Sequence, residues 1–280
     1  MVEVLGPGYF ASWAFIFGAC VGSFLNVVVA RWPRGMSVVR PGSHCPKCGH
    51  VLPWWQNLPI ISYLALRARC ASCKVFISPR YVVLEFVCGL LWAAIVYRFG
   101  VGWETLLWFW IVSCCVAIVS LDLNHWWIPD VLVIQIALAG LLFPLATSNL
   151  DWLGSFAGVV PAFGLWAFVS LYGRLRGIEV MGFGDIKLFA AFGLCVGWQP
   201  LLSIIVLSSL IGLVIGGSLM IFGYRHEADT SVVSDEGEDW EPPASAIPFG
   251  PSIVLAFLAM VLMPGQLDPM LWIERLAFGG

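Results

Sequence analysis

Two aspartates in strongly apolar surroundings are the first candidates for chemistry in this sequence. Asp122 ends a long apolar segment, and Asp185 opens another after Gly182-Phe183-Gly184. Acidic residues inside membrane-length apolar segments are costly and usually functional. Two carboxyl groups that share one proton can activate water and then protonate a leaving amine, as peptide hydrolysis requires. We therefore predict that Asp122 and Asp185 form a catalytic pair.

The acidic residues differ in their expected positions on helices. Asp122 lies near a helix C-terminus, where the helix dipole disfavours an anion, whereas Asp185 lies near an N-terminus, where the dipole favours one. We hypothesise that Asp122 holds the shared proton, that Asp185 is ionised, and that the pair titrates as a unit. Asp130 follows a proline and suits a helix N-terminus. Glu85 either neutralises a basic residue or caps the second apolar segment.

The residues around Asp185 extend the candidate site. Gly182 and Gly184 permit irregular backbone and the close approach of a peptide strand, so we predict that they serve substrate binding. Such backbone occurs at membrane depth only where protein or a wet cavity surrounds it. Lys187 either extends towards the membrane surface or stabilises the ionised form of Asp185.

Four cysteines in the polar stretch 31–80, called here the cysteine loop, have the spacing of a metal site. They form Cys45-Pro-Lys-Cys48 and Cys70-Ala-Ser-Cys73, two CxxC pairs separated by 21 residues. This pattern is typical of a tetrahedral zinc site with four thiolates, which has no open position and is therefore structural. Reduced thiols and a pair of disulfides are the alternatives, and His44 or His50 could replace one cysteine as a ligand.

Composition and hydropathy predict a membrane protein. The 280 residues are 60% hydrophobic and 11% charged, with a mean hydropathy of +0.90, whereas soluble domains average about 25% charged residues. A transmembrane helix needs roughly 20 apolar residues. The predicted fold class is therefore an all-α polytopic membrane protein with a small cytoplasmic zinc-binding loop module. The eight predicted spans are residues 9–30, 81–98, 103–121, 129–147, 153–173, 184–198, 201–223 and 249–264.

Basic residues predict the orientation of the chain. If the eight segments alternate in direction, only Arg98 and Arg275 of the 14 Lys and Arg residues fall on one face. Cytoplasmic segments are enriched in Lys and Arg, so the cysteine loop and both aspartates are expected at the cytoplasmic face. A reducing cytoplasm favours thiolates over disulfides in that loop.

Two functional modules are predicted along the chain. Residues 1–80 comprise the first helix and the cysteine loop, and residues 81–280 comprise the membrane-embedded peptidase core. A second polar stretch, 227–241, carries seven acidic residues and has too little apolar surface to fold alone. It could attract basic peptides or serve as a solvated linker.

The order of several motifs resembles a known family. Gly22-Ser23-Phe24-Leu25-Asn26-Val27 ends the first apolar segment, the CxxC pairs follow, and Ser120-Leu121-Asp122 runs on to Ile128-Pro129-Asp130. Met181-Gly182-Phe183-Gly184-Asp185-Ile186-Lys187-Leu188 and Pro248-Phe249-Gly250-Pro251 complete the set. Over nearly its whole length the chain resembles the bacterial type IV prepilin peptidases, which are GxGD aspartic peptidases.

This resemblance implies an activity and its partners. The family cleaves short basic leader peptides from type IV prepilins and from pseudopilins of type II secretion, at the cytoplasmic face of the bacterial inner membrane. Its catalytic aspartates match Asp122 and Asp185. Many members also N-methylate the new N-terminus with S-adenosylmethionine, for which we find no separate motif. The implied partners are prepilins, pseudopilins and the lipid bilayer, and no nucleic acid is expected.

A polytopic transporter, or a membrane scaffold with a structural zinc module, is the alternative. A transporter would place its carboxylates near the membrane midplane, between paired repeats, whereas the acids here lie at the edges of their segments. A scaffold has no need of Asp122 at the disfavoured end of a helix.

Overall fold

The regular structure of this chain is helical. The computed structural model describes residues 2–148, 150–177, 181–221, 248–264 and 266. Within these residues the prediction of an all-α fold is confirmed, and the β structure described consists of two isolated bridges, His44–Val51 and Arg69–Phe76. The acidic stretch 227–241, together with Arg225 and Arg275, lies outside the described residues.

Ten α-helices occur in the described part of the chain. In order they are α1 (Val2–Arg31), α2 (Ile61–Ala65), α3 (Arg80–Phe99), α4 (Trp103–His125), α5 (Asp130–Ala146), α6 (Trp152–Ala157), α7 (Val160–Arg176), α8 (Phe183–Val196), α9 (Trp198–Ile221) and α10 (Gly250–Leu262). Two short 3-10 helices, Trp32–Arg34 and Trp54–Asn57, lie in the cysteine loop. The predicted segment 153–173 is divided into α6 and α7, because Pro161 in the first turn of α7 lacks the N–H that would continue one helix.

Five helical segments are long and apolar enough to cross a membrane. They are Gly6–Arg34, Arg80–Phe99, Trp103–His125, Trp152–Arg176 and Trp198–Ser218. The other three predicted spans coincide with α5, α8 and α10, which have 17, 14 and 13 residues and are shorter than the roughly 20 residues of a straight span. The structure thus supports a membrane protein with five candidate spans, and the count of eight stays a prediction.

Large apolar side chains are exposed along these helices. Leu153, Leu175 and Leu213 have exposed fractions of 77%, 76% and 72%. So much exposed apolar surface is rare on soluble monomers, whereas lipid tails surround such side chains without cost. The exposure therefore agrees with the membrane assignment from composition.

The chain divides into two compact units, Met1–Ala117 and Ile118–Gly280. The boundary lies within α4. The predicted division at residue 80 separates two functional modules. The compactness of the units does not test it, so it stays a prediction.

In the first unit, α1 packs closely against α3. A Cβ on Gly22 would lie 2.8 Å from Cα of Glu85, and one on Gly89 would lie 2.8 Å from the carbonyl oxygen of Phe15. Small residues allow this approach of two apolar helices. The Glu85 carboxyl is buried and accepts a hydrogen bond from the N–H of Ile60 over 2.8 Å, so it contacts the cysteine loop.

In the second unit, α8 is the central helix. It packs against α5, α6, α7, α9 and α10. Phe192 of α8 stacks on Phe257 of α10 with ring centroids 3.8 Å apart. At Gly158 and Gly193 the backbones of the α6–α7 junction and of α8 touch directly, because a Cβ on either glycine would overlap the carbonyl group of the other. This packing fixes α8, whose first turn carries Asp185.

Candidate active site

Asp122 is a buried carboxyl group in the last turn of α4. Its exposed fraction is 5%. The predicted helix ended at residue 121, but α4 continues to His125, so the aspartate lies inside its last turn. The chain then reverses at Trp126, which has a φ of 55° and donates its N–H to the Asp122 carbonyl oxygen over 3.0 Å. This turn leads directly into α5.

Asp185 lies half-buried in the first turn of α8. Gly182 precedes the helix in an extended conformation, with φ −64° and ψ 140°, and its carbonyl oxygen accepts the Asp185 N–H over 3.2 Å. The Asp185 and Asp122 carboxyl groups lie close enough to interact electrostatically. The structure therefore places the two aspartates that the sequence singled out within electrostatic range of each other, and their role as a catalytic pair stays a prediction.

Neither backbone conformation nor close packing requires glycine at the two positions before Asp185. Gly182 is extended and Gly184 is helical, so neither has the positive φ that favours glycine. A Cβ on Gly182 would lie 3.5 Å from Asp185 Oδ2, and one on Gly184 would lie 3.4 Å from Cβ of Ile128. Both distances are ordinary van der Waals contacts, so a small side chain would fit at either position, and the substrate-binding role of the two glycines stays a prediction.

A third segment of the chain reaches Asp122. Gly250, the first residue of α10, donates its N–H to Asp122 Oδ2 over 3.0 Å. A Cβ at this position would lie 2.5 Å from the same oxygen and 3.3 Å from Cδ1 of Ile128. The motif Pro248-Phe249-Gly250-Pro251 forms part of the family resemblance, and its sequence alone predicts no role for Gly250. The available signal was a glycine between prolines at the start of an apolar segment.

Lys187 and Asp130 form an ion pair between α8 and α5. Lys187 Nζ lies 2.7 Å from Asp130 Oδ1, and the exposed fractions of the two side chains are 35% and 61%. The ammonium group also lies 4.8 Å from the centre of the Phe183 ring. Asp130 does begin α5, as its helix-terminal interpretation expected. Lys187 therefore contacts Asp130 and joins the starts of two helices next to the aspartates.

The four cysteines of the cysteine loop converge on one point. Their sulfur atoms all lie within 4.8 Å of one another, with Cys45 Sγ to Cys73 Sγ at 3.8 Å and Cys48 Sγ to Cys70 Sγ at 4.0 Å. Tetrahedral zinc with Zn–S bonds of about 2.3 Å requires sulfur separations of about 3.8 Å. The sulfur atoms are not bonded to one another, so the geometry fits a four-thiolate metal site.

Each CxxC pair lies in a knuckle with the same backbone hydrogen bonds. In the first, Cys45 N–H donates to the His50 carbonyl and Gly49 N–H donates to the Cys45 carbonyl, both over 2.9 Å. In the second, Cys70 N–H donates to the Val75 carbonyl over 2.9 Å, and Lys74 N–H donates to the Cys70 carbonyl over 3.1 Å. These turns bring the two sulfurs of each pair to the same side.

The knuckle backbone also favours the thiolate form. The N–H groups of Cys73 and Ser72 lower the pKa of Cys70 to about 6, and the backbone of His50 lowers the pKa of Cys48. The thiolate is the form that binds metal. The clustered ligand set contains the four cysteines, while His44 Nδ1 hydrogen-bonds with the Gly42 carbonyl over 2.9 Å.

Comparisons with known proteins cover both units. Residues 16–99 match the family described as the bacterial peptidase A24 N-terminal domain, and residues 108–217 match the type IV leader peptidase family. The second range contains both aspartates.

Similar proteins carry the name prepilin leader peptidase/N-methyltransferase. The protein of Myxococcus xanthus is 34% identical over 92% of this chain and 92% of its own. Those of Stutzerimonas stutzeri and Pseudomonas aeruginosa are each 33% identical over 93% of both chains. No solved structure matches this chain.

Proposed function

The chain belongs to the type IV leader peptidase family, and we propose that it is a membrane-embedded aspartic endopeptidase that removes basic leader peptides from type IV prepilins and pseudopilins. The observation that carries this proposal is the electrostatic interaction between Asp122 and Asp185, two residues that lie 63 positions apart in the sequence. The relatives named above support the substrate class.

The proposed reaction needs no covalent intermediate. The ionised aspartate removes a proton from a water molecule, whose oxygen attacks the carbonyl carbon of the scissile peptide bond. The protonated aspartate polarises the carbonyl oxygen and then gives its proton to the leaving nitrogen as the C–N bond breaks. One water is consumed, and a carboxylic acid and an amine are formed.

The substrate reaches the aspartates from the membrane. The apolar helix of a prepilin would lie in the bilayer, while its basic leader stays in the cytoplasm. The space beside Gly182 and Gly184 would admit the extended peptide around the scissile bond. This arrangement requires the aspartates at the cytoplasmic face of the inner membrane, with α5, α8 and α10 completing a multi-pass bundle of eight membrane helices.

Zinc and a methyl donor complete the proposal. Zinc would be held by Cys45, Cys48, Cys70 and Cys73, where a closed four-thiolate site supplies structural stability and no catalysis. The name of the relatives includes an N-methyltransferase, and we extend that second activity to this chain with S-adenosylmethionine as donor. The peptidase reaction uses neither group.

The test is cleavage of a purified prepilin by the full chain in lipid vesicles, followed by mass spectrometry. The wild-type protein should remove a leader-sized fragment, and Asp122→Asn and Asp185→Asn should each lower kcat by at least about a thousandfold. Asp151→Asn is the matched control. Asp151 caps α6 through the Gly154 N–H at 2.8 Å, and asparagine caps a helix equally well.

Two results would contradict the proposal. Cleavage that survives in either Asp122→Asn or Asp185→Asn would remove the catalytic pair. A wild-type protein that folds and binds metal but leaves prepilins intact would contradict the proposal that prepilins are its substrates. In the same spectra, a gain of one methyl group on the mature protein with S-adenosylmethionine present tests the second activity.

A further inference from the structure

We propose that Gly250 is a positioning residue for the reaction, and that its N–H keeps Asp122 as the ionised member of the pair. The inference rests on the proposed peptidase function, in which one aspartate must be ionised and the other protonated. It makes Asp122 the base and Asp185 the acid. This placement is the reverse of the one that the C-terminus of α4 and the N-terminus of α8 led us to expect.

The start of α10 has one N–H directed at Asp122. The first N–H groups of an α-helix have no partner within the helix. Pro251 has no N–H, and Ser252 N–H donates to the Phe249 carbonyl oxygen over 3.0 Å. Gly250 N–H donates instead to Asp122 Oδ2 over 3.0 Å, within normal hydrogen-bond range. The carboxyl group therefore caps α10 from a position 128 residues earlier in the chain.

Both features of this contact favour a negative charge on Asp122. A carboxylate that accepts a backbone N–H is stabilised in its ionised form. The N-terminus of a helix carries a partial positive charge, which α10 adds directly at Oδ2. Among the residues that the structure describes, no N–H or O–H group donates to the Asp185 carboxyl. When the two groups share one proton, that proton therefore belongs on Asp185.

Only glycine allows this contact. A Cβ at position 250 would lie 2.5 Å from Asp122 Oδ2 and 3.2 Å from its Cγ. Either the carboxyl group or the start of α10 would have to move, and the hydrogen bond would lengthen. Ile128 limits that movement, because its Cδ1 lies 3.3 Å from the same Cβ position.

The reaction then has a defined direction for each proton. Asp122 takes the proton of the attacking water and becomes neutral, and Asp185 gives its proton to the leaving nitrogen and becomes ionised. A proton transfer from Asp122 to Asp185 restores the starting state. Gly250 N–H donates throughout, so it contributes most when Asp122 is charged.

The elements packed around this pair carry few other titratable groups, and those of α7 are Tyr172, Arg174 and Arg176 in its last turns. Asp185 is on α8, and the Asp130–Lys187 ion pair joins α5 to α8. His125 lies one turn further along α4. The sequences of α9 and α10 contain no titratable side chain. A change in pH dependence after substitution of Gly250 can therefore be assigned to the pair.

The experiment measures the pH dependence of prepilin cleavage by the full chain with Gly250→Ala. We expect kcat to fall about tenfold to a hundredfold. We also expect the acidic limb of the profile to move to higher pH by about one unit, because the base loses its donor. Gly164→Ala is the matched control, since a Cβ there meets nothing within 4 Å, and it should keep the wild-type profile.

A measurement on the wild-type protein covers the case in which Gly250→Ala does not fold. In protein labelled with nitrogen-15 glycine, the Gly250 amide resonance should titrate with the same midpoint as the acidic limb of cleavage. A resonance that follows the basic limb instead, or does not titrate, would overturn the assignment of Asp122 as base.

The variant itself gives two further outcomes against the inference. Unchanged cleavage would remove Gly250 as a positioning residue. A loss of activity at every pH, without a shift of the acidic limb of the pH profile, would mean that Gly250 contributes only to packing. In both cases the wild-type protein still cleaves, so the peptidase function stands; failure of that function would show as an inactive wild-type protein.

Discussion

The cysteine site and the aspartate site are assembled over different lengths of chain. Cys45 and Cys73 are 28 positions apart, and two backbone knuckles place all four sulfur atoms. The aspartate site joins α4, α8 and the start of α10, so that its hydrogen bond from Gly250 to Asp122 crosses 128 positions. The first site depends on local turns, and the second exists only when separate helices are packed.

The largest expected effect that tests this comparison is in the cysteine loop. Cys48→Ser removes one of four ligands, and we expect zinc affinity to fall by more than about a hundredfold. The metal content of the purified protein and tryptic cleavage within the loop are the measurements. Gly250→Ala should leave both unchanged, because the cysteine site assembles from its own knuckles.

A matched control is available in α1. Cys20 is exposed and lies outside the cluster, so Cys20→Ser should retain the metal. Full zinc content in Cys48→Ser would contradict the four-thiolate site.

The sequence predicts more of the cysteine site than of the aspartate site, because the first is assembled locally and the second from distant segments. CxxC spacing carries a local geometry, and the cost of burying a carboxyl group singles out Asp122 and Asp185 wherever they lie. Gly250 could not be found in this way, because it acts through a backbone N–H that has no side-chain signature. The sequence predicts separate roles for Asp130 and Lys187, but their contact spans 57 positions and cannot be inferred before α5 and α8 are packed.

Helix boundaries show a similar limit. The predicted segment 201–223 begins at Trp198 in the structure, because Pro200 is tolerated in a first turn. Helix α3, predicted at 81–98, runs from Arg80 to Phe99, since apolar periodicity and the following Gly100 define it locally. The count of membrane spans requires knowledge of tilt and neighbours, which apolar length does not contain.

An intermediate effect is expected at the ion pair beside the aspartate site. Lys187→Met should lower kcat about tenfold, because the pair holds the first turn of α8 and therefore Asp185. The free energy of unfolding should change by less than about 1 kcal/mol, since exposed ion pairs contribute little. Cleavage kinetics and denaturant unfolding in detergent measure the two quantities. Arg174→Met, at an exposed cation of α7, should change neither.

Reversal of the charges sharpens this prediction. Asp130→Lys combined with Lys187→Asp should recover part of the lost kcat, because the bridge between α5 and α8 can form again. A Lys187→Met protein with wild-type kcat would mean that the Lys187–Asp130 ion pair does not position Asp185.

The smallest expected effect concerns the hydrogen bond from Ile60 to Glu85 in the first unit. Glu85→Gln should change the free energy of unfolding by less than about 1 kcal/mol, because the amide oxygen can still accept the Ile60 N–H. Glu85→Leu leaves that N–H without its acceptor and should cost about 1–3 kcal/mol. Denaturant unfolding of both variants measures the difference.

This pair of variants also decides the role of Glu85. Helix α3 has Pro79 at its N-cap position and no side-chain cap, so capping is not its function. Equal destabilisation by glutamine and leucine would mean that the negative charge, rather than the hydrogen bond, is required.

The direct contact between Gly158 and Gly193 fixes one point of α8 against the α6–α7 junction. No side chain lies between the two backbones, so rotamer changes cannot alter their spacing. Asp185 lies eight residues from Gly193, which is a distance of about 12 Å along an α-helix. A tilt of α8 by about 5° around this contact would move Asp185 by about 1 Å. A displacement of that size can change the rate of the reaction about a hundredfold. Because the contact between Gly158 and Gly193 resists such a tilt, it keeps Asp185 in place.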